Sequence, residues 1–196
     1  MKQDIILAGV GGQGILSIAF VIDNAALKEG LHFKQAEVHG MSQRGGAVQS
    51  HLRISDGLIH SDLIPRGGAD LVLSVEPLET LRYLEYLRPG GLIVSSSNPF
   101  VNIPDYPDIQ EVLGEIRKNL KSVIVDSEKL AKEAGTSKAQ NMVMLGAASH
   151  FLILEKEDLK EYVKVLFKER GEPVVEANLK AFELGRREGE KFGSQA

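Results

Sequence analysis

Apolar and polar positions along the 196-residue chain change period repeatedly, and each change marks an element. Asp4 to Ala8 is a short apolar run that stops at glycines, which predicts a buried strand. Ile15 to Lys28 carries apolar residues at helical spacing and stops just before Gly30, a fitting helix C-terminus. Phe33 to Val38 reads as a second strand and Gly40 to Gly46 as a polar, glycine-bearing loop. Ala47 to Ile54 alternates through Val48, Leu52 and Ile54, as a strand with one buried face does. Asp56-Gly57 then predicts a tight turn, with Leu58 to His60 returning as a hairpin. Leu71 to Val75 is a buried strand, and Pro77 suits the first turn of a helix running to Leu87. Pro89-Gly90-Gly91 predicts a turn and Leu92 to Ser95 another strand.

Three prolines make Asn98 to Pro107 a loop. Ile109 to Leu120 is an amphipathic helix, and Val123 to Val125 a strand followed by Asp126, a good cap for a helix over Lys129 to Ala134. Lys138 to Leu154, Asp158 to Phe167 and Val174 to Lys191 are helical in period and make the C-terminal part helix-rich. No repeat or linker interrupts the chain, so residues 1–196 predict a single domain. Alternating strands and helices predict a three-layer α/β/α sandwich with a mostly parallel sheet, mixed if the hairpin forms.

Charge and composition remove several function classes. The net charge is -4 with no long basic run, which disfavours a general nucleic-acid surface. Cysteine is absent, which excludes disulfides, a thiolate nucleophile and an iron–sulfur cluster held by this chain's own thiolates. No secretory signal pattern opens the sequence and no apolar run is long enough to span a bilayer, so a cytoplasmic location is expected. The five histidines lack metal-ligand spacing, and no Gly-x-Ser-x-Gly elbow marks a hydrolase.

Two stretches carry candidate chemistry. Gly9-Val10-Gly11-Gly12-Gln13-Gly14 joins the first strand to the first helix and matches G-x-G-x-x-G in its required context. Such a turn brings main-chain amides and a helix N-terminus to an anion. NAD or FAD binding would need an acid at the end of the second strand, for which Glu37 is near the right distance. Another phosphate-bearing ligand, or a tight turn without a ligand, fits the same residues. The second stretch is Met41-Ser42-Gln43-Arg44-Gly45-Gly46, where uncrowded Arg44 could grip phosphate or carboxylate through its fork. Both stretches follow strands, so both are expected on one rim of the sheet. His39 flanks the second, and Arg53, on the alternating strand, suits a structural role.

Gly9 to Gly14, Glu37 to Gly46 and Ser50-His51-Leu52-Arg53, continued by Ala69 to Leu73 with Glu76-Pro77, resemble the gamma-type domain of the 2-oxoacid:ferredoxin oxidoreductases. Asn141 before Leu145-Gly146-Ala147, and Asn178 before Ala181-Phe182, extend the likeness over nearly the whole chain. The resemblance implies a small subunit without clusters, inactive alone. Its larger alpha partner would carry thiamine diphosphate and [4Fe-4S] clusters, in an assembly of two of each chain with ferredoxin as electron acceptor. It implies oxidative decarboxylation of a 2-oxoacid to acyl-CoA and carbon dioxide. Gly-Met-Ser-Gln-Arg at this chain length resembles members acting on indolepyruvate, while sister enzymes take pyruvate, 2-oxoisovalerate or 2-oxoglutarate. Carried over, Gly9, Val10, Gly11, Gly12 and Gln13 would hold coenzyme A through main-chain amides, Arg44 would supply a cation, and Asn141 and Asn178 amide hydrogen bonds. Helix capping or interhelical bonding is the other reading of the two asparagines.

Overall fold

The computed structural model describes residues 1–39, 45–101, 103–118 and 121–194, without the side chain of His39. Six strands form one sheet: β1 (Lys2–Val10), β2 (His32–His39), β3 (Ala47–Ser55), β4 (Ala69–Ser74), β5 (Leu87–Ser96) and β6 (Ser122–Val125). Their order is β2-β3-β1-β4-β5-β6. β3 runs antiparallel to both β2 and β1, whereas β1, β4, β5 and β6 are mutually parallel. The sheet is therefore mixed through one reversed strand.

Helices cover both faces. They are α1 (Ile15–Lys28), α2 (Pro77–Arg82), α3 (Ile109–Arg117), α4 (Ser127–Glu133), α5 (Gln140–Ser149), α6 (Lys156–Phe167) and α7 (Glu172–Gly193). Ile5 and Leu7 of β1 face a core built with α1, α5, α6 and α7. Their neighbours Ile6 and Ala8 face the other way, against Ile64 and Tyr83. On that second face Ile93 of β5 meets Val112, Leu113 and Ile116 of α3 and Leu78 and Leu81 of α2. The period-two alternation of β1 thus separates two apolar layers.

Helix α5 is buried all round, which explains its lack of a polar face. It packs against α7 through glycines: a Cβ on Gly185 would stand 1.9 Å from the Val143 carbonyl oxygen, and one on Gly146 2.0 Å from that of Phe182. Only residues without a side chain let these two backbones approach so closely.

The three-layer architecture agrees with the sequence, and α1 begins and ends where its periodicity does. Four local expectations need correction. Residues 58–60 do not return as a strand. Both edges of β3 are already paired, with β2 and β1, so the hairpin is β2–β3. The chain after β3 is instead held by Arg53, whose Nη1 donates to the carbonyls of Ser61 at 3.0 Å and Leu63 at 3.1 Å. α2 stops at Arg82 rather than Leu87, because Tyr83 turns inward onto Ile6 and Ala8 and a 3-10 turn follows at Leu84–Tyr86. Pro89-Gly90-Gly91 lies inside β5 as a bulge, since Ala69 pairs with Leu87 but Leu71 with Leu92. The long apolar segment after Lys138 is helical only over Gln140–Ser149. Beyond it, the Gln3 side chain donates to the Phe151 carbonyl at 2.8 Å and accepts from the Ile153 amide at 3.1 Å, holding that stretch off the helix.

Candidate functional site

β1 and β4 are parallel neighbours, yet the helices that follow them leave to opposite faces: α1 to one and α2 to the other. Such a switch point opens a crevice at the carboxyl ends of the strands, where ligands of open α/β sheets gather. A cleft of about 490 Å³ lies there, walled by Gly12, Gln13, Val75, Phe100, Lys138 and Asn141 among others.

The glycine loop forms one wall, and its inner hydrogen bonds decide which amides a ligand can reach. The Val10 amide donates to the Gln13 side-chain oxygen at 2.8 Å, and the Gln13 amide donates back to the Val10 carbonyl at 3.0 Å. The Gly11 amide donates to the Gly46 carbonyl at 2.8 Å. Gly9 is closed in, since a Cβ there would stand 2.5 Å from Val75 Cγ2. Of the five residues Gly9 to Gln13, Gly12 is the exposed one, with φ +102° and nothing within 4 Å of a Cβ position. Gly12 is therefore the loop residue whose main chain is open to the cleft, beside the start of α1, where the Ser17 and Ile18 amides already donate to the Gly14 carbonyl at 3.1 and 3.3 Å.

The last two residues of the second stretch come to the same rim. Gly46 accepts from Gly11, and the Gly45 amide donates to the Gly11 carbonyl at 3.3 Å, so the chain enters β3 directly beside the glycine loop. Arg44 itself lies outside the described residues. Asn141 also belongs here: its Nδ2 donates to the Gly14 carbonyl at 3.3 Å and its Oδ1 accepts from the Met142 amide at 3.0 Å. It lines the cleft while pinning the loop to the start of α5. Asn178 is elsewhere. Its Nδ2 donates to the Val174 carbonyl at 2.8 Å, one helical turn back, and it lines a neighbouring cleft with Arg170 and Pro173. Lys138 stands between the two clefts and borders both.

Two residues at this rim, Lys138 and Asn98, had no motif to reveal them. Lys138 is the one cation among the described residues lining the main cleft; the acid there, Glu128, is paired with Lys132 at 2.5 Å. Asn98 organises the opposite wall. Its Oδ1 accepts from Ser127 Oγ at 3.0 Å and the Glu128 amide at 2.9 Å, and its Nδ2 donates to Asp126 at 3.0 Å. Buried hydroxyls continue inward, Ser96 to Ser127 at 2.8 Å and Thr80 to Ser95 at 2.7 Å. Glu76, also buried, caps α2 by accepting from the Glu79 amide at 2.8 Å. Asn98, Lys138 and Glu76 are separated in sequence and meet only through the order of the strands.

The geometry bears on the dinucleotide alternative. A ribose-gripping acid needs to end the strand next to β1. Here β3 stands between β1 and β2, so Glu37 is two strands from the glycine loop, roughly 10 Å at normal strand spacing. Its carboxylate accepts from Gln35 Nε2 and faces Asp23 of α1. Burial, and then the Glu37 charge, push the Asp23 carboxyl up to about 7. Arg53 is structural: it grips buried Asp4 with two nitrogens, at 2.8 and 3.0 Å. Among the described residues no three His, Cys, Asp or Glu gather as metal ligands, and no helix is long and apolar enough to cross a membrane.

Comparison with known proteins agrees with this architecture. The chain is 39% identical to "Indolepyruvate oxidoreductase subunit IorB" of Pyrococcus horikoshii, over 94% of this chain and 95% of that protein. It is 37% identical to the subunit of the same name from Thermococcus kodakarensis, with the same coverage of 94% and 95%. A solved 2-oxoglutarate:ferredoxin oxidoreductase from Magnetococcus marinus, with 2-oxoglutarate, coenzyme A and succinyl-CoA bound, superposes with a TM-score of 0.79 at 25% identity. The match covers 97% of this chain and 31% of that one, so the domain stands there within a longer polypeptide. Residues 4–188 match the model of the pyruvate ferredoxin/flavodoxin oxidoreductase family. With the glycine loop, the reversed β3 and the switch-point cleft all in place, the chain belongs to that family.

Proposed function

We propose that this chain is the small subunit of a 2-oxoacid:ferredoxin oxidoreductase, of the kind that acts on indolepyruvate, and that its switch-point cleft holds part of coenzyme A. The observation that carries the reading is the convergence of Gly12, the start of α1, the Gly45–Gly46 segment and Lys138 on one rim. Gly12 and the helix N-terminus suit an anion on one side and the ammonium on the other, while Gly45–Gly46 braces the glycine loop. Arg44, immediately before Gly45, would add a bidentate cation, and Asn141 an amide. Asn178, in the adjoining cleft beyond Lys138, would meet a different portion of so long a ligand.

The catalytic group of the reaction belongs to a partner. The resemblance implies thiamine diphosphate, which when bound supplies the carbanion chemistry of decarboxylation, and [4Fe-4S] clusters that pass electrons to ferredoxin. A chain without cysteine has no thiolates for a cluster, so those groups fit the larger subunit and not this one. What this chain does is bind and orient. It fixes the phosphates of coenzyme A so that the thiol end reaches toward the partner's active centre. Two copies of each chain, in the cytoplasm, complete the reading.

Co-expression with a thiamine-diphosphate-binding partner tests it. Indolepyruvate-dependent reduction of a dye should require both chains and coenzyme A. Lys138→Ala should raise the KM for coenzyme A about fivefold, more at low salt than at high, by loss of one phosphate contact. Full activity from this chain alone, or tight NAD binding abolished by Glu37→Ala, would overturn the proposal.

A further inference from the structure

Glu76 is a longer side chain than a helix cap requires. Asp, Asn, Ser and Thr are the usual caps because their short side chains fold back onto the first turn. Here one carboxylate oxygen, Oε2, accepts from the Glu79 amide at 2.8 Å and completes the cap of α2. The other, Oε1, leaves the helix altogether. It accepts from the Phe100 amide at 3.3 Å and from the Tyr106 hydroxyl, both on the segment that follows the neighbouring strand β5. Three donors from two connections thus converge on one carboxylate that is 1% exposed. An ionised carboxylate accepts on both oxygens and donates on neither, so no amide or hydroxyl can satisfy all three.

Among its described residues, the segment Glu76 holds leaves most of its apolar side chains in solvent. Pro99 and Phe100 wall the cleft, but Phe100, Val101 and Ile103 are 43%, 69% and 42% exposed. Apolar side chains left in solvent contribute little burial energy to hold a loop in place. Its position therefore depends on polar anchors: Asn98 at its start, bound to Ser127 and the Glu128 amide, and Glu76 farther along. Burial, with the Glu76 hydrogen bond and charge, holds the Tyr106 phenol above its ordinary range, so it remains a donor.

We propose that Glu76 is a positioning residue: through Phe100 and Tyr106 it sets the wall of the cleft opposite the glycine loop, and so sets the fit of coenzyme A without touching it. The proposal rests on the coenzyme A reading above. The test uses the assembled two-subunit enzyme with Tyr106→Phe, Glu76→Asp and Glu76→Gln, titrating coenzyme A and indolepyruvate separately in the dye assay and recording Tm. Glu76→Asp can still cap α2 but cannot reach Tyr106, so it separates a cap from a brace. Tyr106→Phe and Glu76→Asp should each raise the KM for coenzyme A about tenfold, the loss of one charge-assisted hydrogen bond. The KM for indolepyruvate should stay within about twofold and Tm within a few degrees. Glu76→Gln, which keeps one set of bonds at the expense of the other, should fall on the same side. If the wild-type enzyme binds coenzyme A and Glu76→Asp and Tyr106→Phe match it, the positioning role is wrong and the coenzyme reading survives. A wild-type enzyme that neither binds nor requires coenzyme A removes both.

Discussion

Gly185 and Gly12 sit in regions that use glycine for opposite reasons. At the α5–α7 contact, a Cβ on Gly185 or Gly146 would enter a backbone carbonyl at 1.9 or 2.0 Å. At the cleft, a Cβ on Gly12 would meet nothing within 4 Å, and what demands glycine is the φ of +102°. The first region is closed by packing, and its glycines bring two helices together. The second is open, and its glycine keeps a main-chain amide accessible to whatever enters. Stability therefore resides in the helical layer, whereas the rim of the sheet can change with small effect on folding and large effect on binding.

Three substitutions would break or sharpen that contrast. The largest effect is expected from Gly185→Ala. The added methyl must push α7 from α5, costing about 3 kcal/mol or more, read as loss of soluble protein or a steep fall in Tm. A Tm within a degree of wild type would mean that the helices are not so tightly joined. Next is Asp23, buried on α1 with Oδ1 lacking a hydrogen-bond partner among the described residues. Its folded pKa is raised from 3.8 to about 7, so between those values the folded chain keeps a proton that the unfolded chain has released. Its contribution to stability is full below about pH 4, falls as pH rises toward 7 and is flat above. Asp23→Asn should match wild type near pH 4 and exceed it at pH 8 by on the order of 2–4 kcal/mol in urea unfolding. Parallel pH profiles for the two proteins would refute this. The smallest effect on folding is expected from Gly12→Ala, about 1 kcal/mol of backbone strain. In the assembled enzyme, however, it should weaken coenzyme A by more than tenfold, because the main chain can no longer approach the ligand. Equal losses of stability and affinity would erase the difference between the two regions.

Much of the site was legible because its signals are local. A glycine run between an apolar strand and an amphipathic helix specifies a strand–turn–helix with exposed amides, whatever surrounds it. Asp126 was recognisable as a cap for the same reason, and its side chain accepts from the Lys129 amide at 3.0 Å. Lys138 and Asn98 carried no such signal, since a solvated lysine and a loop asparagine look like any others until neighbours are known. The misread hairpin after Asp56 has the same origin. A tight-turn dipeptide reports local geometry, not whether the preceding strand has an edge left to pair.

By itself, then, the amino-acid order determined most of the elements, the alternation of buried faces and the glycine turn after β1, because helix and strand periodicities arise from the local geometry of the backbone. Only the tertiary structure decided that β3 is inserted in reverse between β1 and β2, separating Glu37 from the glycine loop and bringing Gly46 beside Gly11. It also decided that α1 and α2 leave to opposite faces and so open the cleft. Those choices belong to pairings between residues distant in the chain, made by whichever strand edges and apolar faces remain to be covered once the local elements exist.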